Sequence, residues 1–353
     1  MTARRANGTQ GPRFEPGLQL AADLYRQVVQ PLLVGRPHSA ARLGEGSDVL
    51  GFDTERSTDH GWGPRLQVFV GEADVEDVRA TVEAGLPERF RGWPVRFGWD
   101  DVPVTHHVEV DTPERWLTGH LGFDPTTTIG LLDWLATPQQ LLLQVTAGRV
   151  FHDGLEVLAR VRSALAWYPD ELWRWLLGSQ WTRIAQEEAF VGRTMEVGDE
   201  LGSRVVTARL VRELVRLCFL MERRYAPYSK WLGSAFEQLE AARDVGPALI
   251  RAVSADHPAE REQGLLDACA AAAARHNALG VTQPLDTTPR GFHGRPYRVL
   301  GAERFAEAIF ATVRDPKIRS LPPIGAVDQW SDSTDLVTPD GARAARALLS
   351  SWW

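Results

Sequence analysis

The chain has 353 residues, with 39 basic against 46 acidic side chains for a formal charge of −7, 44% hydrophobic residues and 13 tryptophans. That apolar mass excludes disorder as the main state, and the acidic balance excludes general nucleic-acid binding, which needs a basic footprint. No run approaches the roughly 18 apolar residues of a membrane span, and the N-terminal stretch has no apolar segment of a secretory signal, so a soluble cytoplasmic protein of two domains is expected.

Residues 1–15 read as a flexible N-terminus. From Pro16 to about Val34, apolar residues at Leu18, Leu20, Leu24, Val28, Val29 and Leu32 predict a helix ended by Gly35 and Pro37. Ala40–Leu43 and Arg65–Val70 read as strands and Glu76–Glu83 as a helix. Pro94–Phe97 and Val104–Val110 read as further strands, the second alternating through Val104, His106, Val108 and Val110. This mixture predicts a small α/β (or α+β) domain over 16–125.

After about residue 112 the pattern turns helical. Thr112-Pro113-Glu114 reads as a cap with proline at the first helical position. Pro169 opens a helix carrying Trp173, Trp175, Leu176 and Trp181, and Ser203 caps a long helix to about Arg224. Others are expected near 229–243, 259–278, 301–313 and 339–351, with 282–299 a surface loop. An all-α C-terminal domain over 126–353 follows. Cys218 and Cys269 lie in apolar helical patterns without metal-like spacing, which suits reduced thiols.

The stretch from Ala40 to Leu66 carries the chemistry. A short apolar strand runs into Gly46-Ser47, and Asp59 stands before the next strand. Glycine lets a backbone approach a ligand closely, and serine adds a hydroxyl where free amides meet a phosphate. A carboxylate at the mouth of the neighbouring strand suits a metal bridging that phosphate. Asp48, Asp53 and Glu55, in the intervening loop, read as surface acids.

Gly46-Ser47 followed by Asp59-His60 resembles the polymerase-beta-like nucleotidyltransferase superfamily, marked by Gly-Ser, a gap of about a dozen residues, then Asp-x-Asp. Closer still, Gly46-Ser47-Asp48 with Asp59-His60-x-Trp62-Gly63-Pro64-Arg65 resembles an uncharacterised family of nucleotidyltransferase-like bacterial proteins, the domain-of-unknown-function family numbered forty thirty-seven. The resemblance continues in Phe151-His152-Asp153, Gly198-Asp199-Glu200, Tyr225-Ala226-Pro227-Tyr228-Ser229-Lys230-Trp231 and Gly325-Ala326-Val327-Asp328-Gln329. It implies a nucleotidyltransferase-like N-terminal domain that moves a nucleoside monophosphate from an NTP, ATP the expected donor, to a hydroxyl of a small molecule or protein. Gly46 and Ser47 would cradle the phosphates, and Asp59 would hold Mg²⁺ or Mn²⁺ with a third carboxylate from a later strand. Glu109 and Asp111 are the candidates for that acid, two apart and so on one strand face. The pattern's second Asp is Gly61 here, which has no ligand atom. The alternative is therefore a catalytically impaired nucleotide-binding or partner-binding protein.

Charge is unevenly shared: residues 1–150 sum to −6, while 201–230 hold seven basic residues and two acids. Arg209, Arg212, Arg216 and Arg223 form a stripe at helical spacing that suits a triphosphate or a solvated face. Lys230 is one of only two lysines, the other being Lys317. A retained lysine suits phosphate binding as a compact charge or, alternatively, packing under Trp231. His152-Asp153 reads as the start of a helix, with Asp153 as its cap or, alternatively, His152 as a general base; Glu187 and Glu188 are further candidates for a base, though one of the adjacent pair must point away.

Overall fold

A computed structural model describes residues 12–100 and 102–350. Most of the expected flexible stretch 1–15 lies outside the described residues. At its end Phe14 packs on Trp62 and Glu15 pairs with Arg91 at 2.8 Å. The chain forms two compact units: residues up to Ile129 with Leu141–Ala166, and Gly130–Gln140 with residues from Trp167 onward.

In the first unit the predicted opening helix forms as Gly17–Leu24, a π turn over Tyr25–Val29, and Gln30–Leu32. Then come β1 (Ser39–Arg42), β2 (Arg65–Phe69), the helix Val75–Gly85, and a small ribbon of β3 (Arg89–Phe90) and β4 (Trp93–Pro94). β5 (Arg96–Trp99), β6 (Val102–Asp111), the helix Pro113–Leu121 and β7 (Arg149–Asp153) complete it. The five-stranded sheet has the order β5-β6-β2-β1-β7. Among the described residues only β2 and β6 pair in parallel, and the helix Val75–Gly85 lies in the crossover such a pair requires.

The two sheet faces differ in character. Leu66, Val68, Val108 and Val110 turn toward the opening helix and the crossover helix, packing on Leu20, Leu24, Val78 and Val82. Register matches Arg65 with His107, Gln67 with Glu109 and Phe69 with Asp111. These alternate positions therefore share the opposite face. There Phe69, Ala41 and Leu43 form a small apolar patch with Leu158, Val150 and Trp116, and Phe97 and Trp99 pack on the His107 ring.

β7 corrects the all-α expectation beyond residue 126. His152 and Asp153 end a strand rather than open a helix. Phe151 stacks on Tyr25, with ring centroids 5.9 Å apart, and Ala40 lies opposite His152 in the register. The strand forms because β1, far away in sequence, offers a free edge. Asp153 does act as a cap: its carboxylate takes the amides of Leu158 and Ala159 and the Ser39 hydroxyl.

The second unit is mainly helical. Asp170–Glu187 buries Trp173, Trp175, Leu176 and Trp181. The long helix runs from Glu200 to Met221 and is capped by Asp199, whose carboxylate accepts from Gly202 N at 2.8 Å. Ser203 is instead buried inside it, taking a hydrogen bond from Arg261 at 2.7 Å. The left-handed Gly198 (φ +75) ends the preceding turn and sets Asp199 at the cap. The expected helix 229–243 is broken into Leu232–Phe236 and Ala241–Asp244. Within 282–299 a short ribbon of β8 (Arg290–Gly291) and β9 (Arg298–Val299) anchors the buried Tyr297. Pro258–Ala278, Glu303–Phe310 and Pro339–Ser350 answer the remaining predicted helices. No helix among the described residues is long and apolar enough to cross a membrane.

Candidate functional site

β1 ends at Arg42, and the loop behind it is shaped by a buried triad. Asp48, 1% exposed, accepts from Arg42 Nε at 2.7 Å and Nη2 at 3.0 Å, and from Arg65 Nη2 at 2.8 Å. Arg42 also donates to the carbonyls of Leu43 and Glu45. Burial pulls the Asp48 carboxyl up, but the two guanidinium groups outweigh it and hold its pKa below the usual carboxylate value. Burial, with Arg42 alongside, lowers Arg65 to about 10, leaving it charged at neutral pH. The reading of Asp48 as a surface acid is thus overturned. Asp53 is likewise engaged, taking Gly17 N at 2.7 Å and Trp62 Nε1 at 2.9 Å. The sequence held a faint signal for the triad: Arg42 and Arg65 sit at strand positions, where a buried guanidinium demands a carboxylate.

Gly46 lies over this triad with φ +136, a conformation glycine adopts freely. A Cβ there would stand 2.5 Å from Arg65 Nη2 and 2.6 Å from Arg42 Nη2. Among the described residues no acceptor takes the amide hydrogens of Gly46 or Ser47, nor does the Ser47 hydroxyl have a partner. Two successive free amides and a hydroxyl beside two arginines make a concave donor surface suited to an oxyanion.

The predicted carboxylates are distributed differently. Asp59 ends a 3₁₀ turn, Glu55–Asp59, ahead of β2, and is 63% exposed with Arg56 3.6 Å away. Glu109 and Asp111 share the polar face of β6, as their spacing predicts. Glu109 accepts from Trp116 Nε1 at 2.9 Å. Asp111 binds Thr112 N at 2.8 Å and pairs with Arg115. Gly61 is left-handed at φ +58, and a Cβ on it would touch Trp99 at 3.4 Å. Among the described residues no group of three His, Cys, Asp or Glu side chains is set to hold a metal ion. Asp59, Glu109 and Asp111 therefore do not form such a group in this structure.

The other unit holds a cleft that opens to solvent. The helix Glu200–Met221 turns Arg212 and Arg216, one turn apart, into it. The frame is bonded to itself: Gln139 N donates to Asp328 Oδ2 at 2.9 Å, and Gln329 Nε2 donates to Gln180 Oε1 at 3.0 Å. Gln140 Oε1 accepts from Tyr228 N at 2.9 Å. Most of the arginine stripe is neutralised within the unit: Arg209 pairs with Glu187, Arg212 with Asp332, and Arg223 with Asp170 over the Trp173 ring. Among the described residues Arg216 reaches only the carbonyl oxygen of Asp328. Lys230 does not line the cleft; it is exposed, with Nζ 5.0 Å from the Trp231 ring centroid. Of the glutamate pair, Glu188 is the buried one, its carboxylate taking the amides of Leu300, Gly301 and Ala302.

Residues 134–232 match a family model described as Domain of unknown function (DUF4037). The match begins after the Gly46 loop and Asp59, and it takes in β7, Arg212, Arg216 and Lys230. No curated protein and no solved structure matches the chain.

Proposed function

We propose that the first unit is a nucleotide-binding domain of nucleotidyltransferase-like build, which takes the phosphates of an NTP on the Gly46–Ser47 loop and is impaired in nucleotidyl transfer. The observation that carries this reading is the pair of unbonded amides at Gly46 and Ser47, held over the Arg42–Asp48–Arg65 triad. Phosphate oxygens accept readily from such a nest, and two guanidinium groups nearby favour negative charge. The impairment follows from Gly61 and from the engagement of each acid elsewhere: Asp59 beside Arg56, Glu109 with Trp116, Asp111 with Arg115. No step is assigned to a metal held by these carboxylates.

Calorimetric titration with ATP, GTP, CTP and UTP tests the reading. Ser47→Ala removes one hydroxyl donor and should weaken binding about three- to tenfold. Gly46→Ala should abolish it, because the Cβ enters the space of Arg42 and Arg65. Absence of saturable binding by any nucleotide at millimolar concentration, or affinities unmoved by both changes, would sink the proposal.

One observation favours a transferase reading beside it. Glu109 and Asp111 stand on β6, the parallel neighbour of β2, on the face that also carries Arg65. That is where the resemblance expects a third carboxylate. Incubation with labelled NTPs, Mg²⁺ or Mn²⁺ and the protein itself as acceptor tests this, through self-labelling and pyrophosphate release.

A further inference from the structure

The Arg212–Arg216 cleft belongs to the helical unit and is independent of the nucleotide reading of the Gly46 loop. Its chemistry points to one kind of ligand group. Arg216 is largely buried, yet its nearest acid, Asp328, has turned its carboxylate to Gln139 N and offers only a carbonyl oxygen. Among the described residues no carboxylate lies within ion-pairing range of Arg216. Arg212 is held by Asp332, which is 69% exposed on the coil between two short helical turns and so free to leave. The cleft wall adds the hydroxyls of Ser229 and Thr334, neither of which has a protein partner on its side chain among the described residues.

We infer that this cleft binds the phosphate of a small phosphomonoester, with Arg216 and Arg212 gripping the terminal oxygens and Asp332 as the counter-ion displaced. Two guanidinium groups plus two hydroxyls supply more donors than the two oxygens of a carboxylate accept comfortably, while a phosphate has three terminal oxygens. Apolar lining by Leu220, Val327 and Leu336 suits an organic remainder on the ester.

Phenyl phosphate and inorganic phosphate serve as probes, with sodium acetate at matched ionic strength as the carboxylate control, read by ³¹P line broadening and calorimetry on the full chain. Wild type should bind both phosphates and not acetate, with phenyl phosphate tighter. Arg216→Gln should weaken binding about tenfold or more, while Asp332→Asn, at an exposed position, should strengthen it about threefold or more. The inference is overturned if Asp332→Asn leaves phosphate affinity unchanged or lowers it, if Arg216→Gln binds as wild type does while folding normally, or if acetate binds as well as phosphate.

Discussion

Replacing Asp48 by asparagine tests the physical basis of the Gly46 loop most directly. The carboxylate is 1% exposed and its partners Arg42 and Arg65 are 3% and 12% exposed, so water screens the cluster little. Three charge-assisted contacts, at 2.7, 3.0 and 2.8 Å, converge on its two oxygens. Asparagine keeps one acceptor oxygen and turns an N–H₂ toward the other guanidinium, leaving two buried like charges with no counter-ion. Breaking a buried pair on one side in this way costs about 3–5 kcal/mol. For a unit of this size each kcal/mol lowers the melting midpoint by about 2–4 °C, so a fall of roughly 6–20 °C is expected. Differential scanning calorimetry reads it, because two units need not melt together. The pH dependence has a definite sign. The folded pKa of Asp48 is depressed, so its contribution is complete above the unfolded value of 3.8 and is lost as pH falls through the folded value. Wild type and variant should therefore converge only in strong acid. A midpoint change of 2 °C or less at pH 7, taking about 2–4 °C per kcal/mol, would refute the account of the triad.

Three further outcomes follow. Burial raises Glu188 to about 6 against three amides that favour its ionised form; its contribution is complete below 4.5 and lost as pH rises through about 6. That slope is worth about 2 kcal/mol, and a pH series of denaturant midpoints should show it disappear in Glu188→Gln; persistence of the slope contradicts the assignment. His276, fully buried, accepts Trp181 Nε1–H at Nδ1 (3.0 Å), which leaves Nε2–H to donate to Thr282 Oγ1, and burial lowers its pKa to about 4. Its contribution is therefore complete above 6.5 and is lost as pH falls toward 4, and ring-proton NMR should find it neutral at pH 5.5; a titration near 6.5 disproves the buried neutral form. Gly61→Ala should cost about 1–2 kcal/mol because its φ is +58. Gly61→Asn should cost less, since asparagine tolerates that region, and equal costs in thermal melts would argue against the left-handed conformation.

The elements that formed as predicted carry their cause locally. The alternation through Val104–Val110 needs only one buried face, and it correctly put Glu109 and Asp111 on the other. The tryptophan-rich helix from Pro169 likewise rests on its own periodicity and on acids in its first turn. β7 was not legible because Val150-Phe151 becomes a strand only when β1 lies alongside, and β1 is more than a hundred residues earlier. Asp48 was misread for the same kind of reason. In sequence it is one acid among several in a polar loop, and its burial is decided by Arg42 and by Arg65, seventeen residues away.

The basic residues show where counting stops being informative. Rarity singled out Lys230 among 39 cations, and the structure places it at the surface with Nζ 5.0 Å from the Trp231 ring centroid. Within the stripe, Arg216 is the member without a carboxylate partner among the described residues, and nothing in its sequence setting distinguishes it from Arg209, Arg212 or Arg223. Those three find carboxylates on Glu187, Asp332 and Asp170. Arg216 differs because Asp328, the acid nearest it, is bonded to the amide of Gln139, a partner almost two hundred residues distant in the chain. A guanidinium that meets a carbonyl rather than a carboxylate is thus a property of who is already paired with whom. The same holds for the amides of Gly46 and Ser47, which find no acceptor among the described residues in a loop where Arg42 and Arg65 both grip Asp48.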